Sequence, residues 1–308
     1  MHPAYSVILF TVASGAGYGL LALLGLVGVN HGQASSYAFA LTALLIALAL
    51  ITTGLLSSTF HLGRPERFWR AFSQWRSSWL SREGIAAVLT YPVTLAFGAV
   101  WSGLIDAPKL IAPLGIVTAI MCAITVFFTG KIYSSLKTIR AWRHPLTVPA
   151  YLVFALATGA SLLMPIAWFF GRFQTAQAVI AGLALIAAAI VKFFYWRSID
   201  AGPRTYTMAS ATGLGPGVRQ WEVPHTSTNF IMKEMGYAVA RKHALKLRLI
   251  VFVLLIAALA AAALSLLVNP AIFLFATPFS LAAAAVERWL FFAEAQHVSS
   301  LYYGAERA

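Results

Sequence analysis

Eight apolar runs, each near the 20 or so residues that a helix needs to cross a bilayer, decide what this chain can fold into. They fall at about 4–29, 36–60, 84–105, 111–134, 148–170, 174–196, 246–268 and 271–295. The runs are continuous; a membrane-barrel strand would alternate apolar with polar residues. Only a helix satisfies its own backbone inside lipid. The pattern predicts an all-α integral membrane protein, a single domain over 1–308 with eight transmembrane helices in a bundle. Charged residues make up 10% of the chain, against about a quarter in a soluble domain. The first run has no basic stretch before it and no small-residue cleavage site after a short apolar core. It therefore reads as a retained helix.

The connections are of two kinds. Those at 30–35, 106–110, 171–173 and 269–270 are short, whereas 61–83, 135–147 and 197–245 are long and basic. Of the 22 Lys and Arg residues, nineteen lie near the long-loop side. Lys109 and Arg172 lie near the other, and Arg288 lies within the last run. Such a bias places the long loops and both termini on the cytoplasmic side of a bacterial inner membrane. Part of it could serve a partner or anionic lipid. The net charge of +13 does not point to nucleic acid, because the basic residues are spaced between membrane runs. The one cysteine, Cys122, rules out a disulfide within the chain and falls short of the thiolates an iron–sulfur cluster needs. No two histidines share a run at mid-depth, which argues against a haem, and no metal-ligand spacing is present.

Ionisable residues at membrane depth are costly and tend to have a task. His61 closes the second run, and an imidazole titrates near cellular pH. At that position it suits a quinone headgroup, whose redox chemistry moves protons along with electrons. A surface histidine bonded to a carbonyl is the plainer reading. Arg64 and Arg67 follow, with Pro65 favouring a turn between them and the helix. Glu83 opens the third run, where Ser81 is a plausible N-cap. It is either a favourable charge at a helix start or a proton acceptor near His61. Trp69, Trp75 and Trp79 form either an interfacial belt or the wall of a quinone pocket.

In the last run Glu287 and Glu294 are seven apart, and His297 extends the same face. They form either a proton path or, with Arg288 paired to an acid on a neighbouring helix, an ion pair that fixes packing. Lys131 and Lys192 sit near run ends and are expected to snorkel. Gly15 and Gly19 form a GxxxG that permits close helix approach. Within 197–245, Phe230, Ile231, Met235 and Val239 suggest a short interfacial helix. The segment GLGPG at 213–217 reads as a turn, since it lacks the lysine and strand of a phosphate loop.

The segment STFHLGRPERFWRAF, followed by SSWLSREG, resembles the membrane anchor subunit of the dimethyl sulfoxide reductase family. That family carries HLG-x-P-x-R after its second helix and W/A-L-S-x-E at the start of its third. Here these are His61-Leu62-Gly63-Arg64-Pro65-Glu66-Arg67 and Trp79-Leu80-Ser81-Arg82-Glu83. Tyr133-Ser134-Ser135 and the VERWLFF of the last helix are similar as well. The resemblance implies an eight-helix anchor without haem, holding an iron–sulfur electron-transfer subunit and a molybdopterin catalytic subunit at the membrane. It implies exchange of electrons with ubiquinone or menaquinone, with His61 and Glu83 as the quinone-site pair and Arg64 and Arg67 in the same motif. The long basic insertion at 197–245 departs from the enteric anchors and looks more like the branch serving sulfite dehydrogenases. Two other readings stand beside this one. One is a secondary transporter for a small anion, with Glu287, Arg288 and Glu294 lining its cavity; the other is a purely structural anchor.

Overall fold

The structure, a computed structural model, describes residues 4–34, 36–60, 64–202, 206–222, 227 and 239–303. Among them are eight helices long and apolar enough to span a membrane, and no strand. They are α1 (Tyr5–His31), α2 (Tyr37–Thr59), α3 (Trp79–Trp101), α4 (Ile111–Ser134), α5 (Thr147–Phe169), α6 (Thr175–Ala201), α7 (Val239–Leu267) and α8 (Phe273–Ala293). The chain is a multi-pass membrane protein of all-α class, as the eight runs predict. Phe230, Ile231 and Met235 lie outside the described residues. The GLGPG turn is present, with Gly213, Gly215 and Gly217 all at positive φ.

Helix α1 is the hub. It packs against α2, α4, α5 and α8, while α3 leans on α4, and α6 on α5 and α7. Small residues make this possible, because without a hydrophobic drive between helices, association in lipid depends on close backbone contact. A Cβ on Gly19 would run into the backbone of Ala155 on α5, and one on Gly159 into the backbone of Gly19. A Cβ on Gly25 would come within 2.5 Å of the Gly115 carbonyl oxygen on α4. Gly17 faces α2 instead, where a Cβ would stand 2.8 Å from the Ala47 oxygen. The GxxxG of the first run is thus the α1–α5 seam.

Several buried hydroxyls are satisfied inside their own helices. Ser14, Thr90, Thr94, Thr125 and Thr158 each donate to the carbonyl four residues back. Helix α5 contains Pro165, which has no N–H to offer the Ser161 carbonyl. Thr277 of α8 supplies the missing donor at 2.5 Å. Thr277→Val keeps the shape and removes that donor, so it should cost about 1–3 kcal/mol. A clear drop in the thermal midpoint of the detergent-solubilised protein is the expected reading.

Several helix boundaries differ from the apolar runs, two of them next to candidate site residues. Helix α3 begins at Trp79, capped by Ser78, whose side chain accepts from Ser81 N–H. Ser81 is therefore inside the first turn; it was expected as the cap. Helix α6 runs on to Ala201, past the end of the apolar run at 196, because Arg197, Ser198 and Asp200 continue the hydrogen-bond ladder although they are polar.

Candidate functional site

The segment between α2 and α3 is folded onto the start of α3. A 3-10 helix spans Pro65–Phe72. Ser81 Oγ donates to the Ala71 carbonyl, and Arg82 donates to the carbonyls of Trp75 at 2.9 Å and Arg76 at 2.6 Å. Phe72 lies against Gly84, where a side chain would displace it. Arg64, Arg67, Arg70 and Arg76 are exposed on this segment. Trp69 and Trp75 are more than half exposed, each with an arginine over its ring, Arg70 at 5.5 Å and Arg76 at 5.3 Å. Arg67 meets Glu66 at a loose 3.8 Å with both side chains well exposed, a contact worth little. Trp79 is different. It packs on Phe127 and Phe128 of α4 under Arg82 at 4.3 Å and Lys131 at 5.7 Å. The structure therefore brings Trp79 to the bundle and leaves Trp69 and Trp75 on its rim. His61 lies outside the described residues.

Glu83 turns inward from this basic surface. It is 4% exposed, and its Oε1 accepts a hydrogen bond from Thr129 of α4 at 2.6 Å. Thr129 also lines a cavity of about 20 Å³ between α1, α4, α5 and α8. Tyr18, Tyr151 and Arg288 line the same cavity, and the hydroxyls of both tyrosines are buried with no hydrogen-bond partner among the described residues. Three donors thus converge on a space about the size of one water.

The second half of the bundle holds a buried charge cluster. Glu287 of α8 is fully buried. It sits 2.7 Å from Lys192 Nζ on α6 and 2.7 Å from Arg288 beside it. Lys192 does not snorkel, contrary to what its place near a run end predicts; its side chain is 1% exposed. The longer α6 explains it, since Lys192 lies nine residues before Ala201, about 13 Å below the helix end at 1.5 Å per residue. The ammonium stands over the rings of Tyr195 at 3.8 Å and Trp196 at 4.6 Å. Arg288 was expected to reach an acid on another helix. It stays with its neighbour Glu287 and covers the Tyr151 ring at 3.6 Å, so the interhelical bond is made by Lys192 instead. Three charged groups this deep are held by one another; removing one alone would strand the rest.

A further set of charges lies above, towards the long loops. Arg248 of α7 forks onto Glu294 at 3.0 and 3.1 Å and reaches Asp200 at 2.6 Å. Glu294 caps α8, and burial pushes its carboxyl above the usual range against the pull of Arg248. Asp200 is 57% exposed. His297 follows after α8 has ended and turns its Nδ1 to Ser299 at 2.8 Å. It does not continue the Glu287–Glu294 face, because α8 stops at Ala293. Lys192, Arg248, Asp200, Thr129, Tyr18 and Tyr151 are the residues that sequence reasoning missed. Lys192 gave the one usable signal, a basic residue inside an apolar run.

The larger cavity, about 240 Å³, lies at the opposite end of the bundle and is lined by His31, Gln33, Arg172, Gln174, Phe39 and Trp101 among others. None of the residues expected from sequence lines it. Among the described residues no group of three or more His, Cys, Asp or Glu could hold a metal ion.

Comparison with known proteins agrees with this architecture. The family described as DMSO reductase anchor subunit (DmsC) matches residues 1–294. A sulfite dehydrogenase subunit of Allochromatium vinosum is similar at 32% identity over 327 aligned positions, covering 98% of this chain and 99% of that protein.

Proposed function

Because the chain belongs to the family of DMSO reductase anchor subunits, we propose that it is the quinone-reactive anchor of a molybdopterin and iron–sulfur oxidoreductase complex. The observation that carries this reading is Glu83, a nearly fully buried carboxylate directly behind an arginine-rich surface. A buried carboxyl group that is not part of a tight ion pair is costly to keep, and such groups cluster at functional sites. The basic segment 64–82, with both termini and the other long loops, faces the cytoplasm and docks the iron–sulfur subunit. The similarity to a sulfite dehydrogenase subunit makes sulfite the favoured electron source, so electrons travel from the docked partner to the quinone.

Reduction of the quinone needs two electrons and two protons. His61 and Glu83 supply the protons to the two headgroup oxygens, and Arg64 and Arg67 draw in the polar end of the ring. Trp79 gives the ring an apolar wall on the bundle side, while Trp69 and Trp75 hold the segment at the lipid–water boundary. The chain contributes position, electrostatics and a proton supply, and the redox centres belong to its partners. A photoreactive quinone analogue added to the purified complex should label peptides within 61–83. Labelling confined to other segments would defeat the assignment.

The 240 Å³ cavity favours a second reading, in which a headgroup sits at the short-loop end between Phe39 and Trp101. The same experiment decides between them, because label would then fall on peptides around residues 27–39 and 170–177.

A further inference from the structure

At the short-loop end, the cavity of about 240 Å³ is built from residues at the ends of four helices, α1, α2, α3 and α6. Its buried side is Trp101 and Phe39, 1% and 5% exposed, whose rings meet edge to face at 5.9 Å. Around them His31, Gln33, Arg172 and Gln174 stand exposed, with Gln177 half-buried. Two contacts hold this rim. The Ala34 N–H donates to the Trp101 carbonyl at 2.9 Å. The Gln33 amide lies against Gly103, whose φ of 81° suits glycine and where a Cβ would overlap that amide.

The lining is rich in donors and contains no carboxylate. Arginine and indole can only donate. The Trp101 Nε1–H is buried with no hydrogen-bond partner among the described residues, and an unmade bond to a buried donor is costly. Helix α6 adds to this. It starts at Thr175 with no side-chain cap, so its first N–H groups and the positive end of its dipole lie beside Gln174 and Gln177. A quinone ring brings two acceptor oxygens and is otherwise apolar, a poor match to so polar a lining. A phosphate group brings several acceptor oxygens and charge of the right sign. The space also suits a group larger than a solvent molecule, since one water needs only about 10–15 Å³.

We propose that this cavity binds a phosphate group, carried by an anionic glycerophospholipid or free in solution. The Arg172 guanidinium and the start of α6 take the phosphate oxygens, and Trp101 donates its Nε1–H to one of them. The amides of Gln33, Gln174 and Gln177 both donate and accept, which lets them meet the hydroxyls of a glycerol headgroup. Near the lining residues in sequence, Leu26, Tyr37 and Phe169 are exposed, an apolar surface for acyl chains. The site is at the other end of the bundle from segment 61–83 and takes no part in the chemistry proposed there. It competes only with the second quinone reading, which claims the same space.

The test uses the full chain purified in a neutral detergent. Its thermal midpoint is followed while dioctanoyl phosphatidylglycerol, inorganic phosphate or dioctanoylglycerol is titrated in. A ligand that binds only the folded protein raises the midpoint with its concentration. Phosphatidylglycerol should raise it, and dioctanoylglycerol, the same lipid without its phosphoglycerol, should not. A rise with the lipid alone assigns the site to a headgroup, and a rise with inorganic phosphate as well assigns it to the free ion. Arg172→Gln should weaken the apparent affinity about tenfold or more. Trp101→Phe, which removes the indole N–H and keeps an aromatic ring, should weaken it too; if that variant does not fold, Arg172→Gln decides. A midpoint that neither phosphate compound moves, equal protection by dioctanoylglycerol, or unchanged affinity in Arg172→Gln would overturn the proposal. So would photoreactive quinone labelling the peptides around 27–39 and 170–177.

Discussion

Glu83→Gln should cut quinone-linked turnover of the assembled complex by about a hundredfold or more, the usual cost of losing a positioned acid or base. Electron transfer from the catalytic subunits to an artificial dye should continue at the wild-type rate. The substitution is chosen to isolate the proton. A glutamine carbonyl can still accept the Thr129 hydroxyl that Glu83 Oε1 accepts at 2.6 Å, so the α3–α4 contact and the fold persist. His61→Ala should act in the same direction. If both variants pass electrons to quinone as fast as the unaltered protein, the proposed site is wrong. The dye control matters because the basic 64–82 surface is also the proposed docking face. A variant that merely loosened docking would lose both activities together.

Gly159→Leu should prevent the protein from accumulating in the membrane. A Cβ at this position already overlaps the backbone of Gly19 and Leu20, and backbone cannot rotate away as a side chain can. Overpacking commonly costs about 1–3 kcal/mol, and here α1 and α5 would have to separate along their whole seam. Gly182→Leu is the matched control, because a Cβ there meets only the Leu259 Cδ1 atom at 3.7 Å. Immunoblots of membrane fractions should show the first variant absent and the second near wild-type level. Comparable amounts of both would mean that the small-residue seam does not hold the bundle together.

The eight helices were legible because run length and hydropathy report contact with lipid directly. Their ends were less so, because a helix ends where its hydrogen-bond ladder ends. Arg197, Ser198 and Asp200 are polar yet helical, and that extension is what takes Lys192 out of snorkelling range. The same difference moved the cap of α3 from Ser81 to Ser78. Glu83 was readable as a candidate from its motif, but its partner Thr129 was not, since a threonine in an apolar run looks like any other. The Glu287–Lys192 bond joins α6 to α8, and nothing local in either helix announces its partner. The Arg288 expectation had the right kind of interaction and the wrong cation. The GxxxG spacing gave the close approach but not its target, which depends on which helix the topology lays alongside.

The hub position of α1 carries a consequence for how the protein is made. Helix α1 leaves the ribosome well before the helix it packs on most closely, since Gly159 of α5 follows Gly19 by 140 positions. At about 5–20 residues per second of synthesis, the early segment waits roughly 7–28 s in the bilayer before its closest partner arrives. Its glycine-notched flank is open to chance neighbours throughout that interval. Biogenesis of this chain therefore depends on something, whether the insertion machinery or the second segment arriving promptly, that shelters a half-built centre until the wall around it exists.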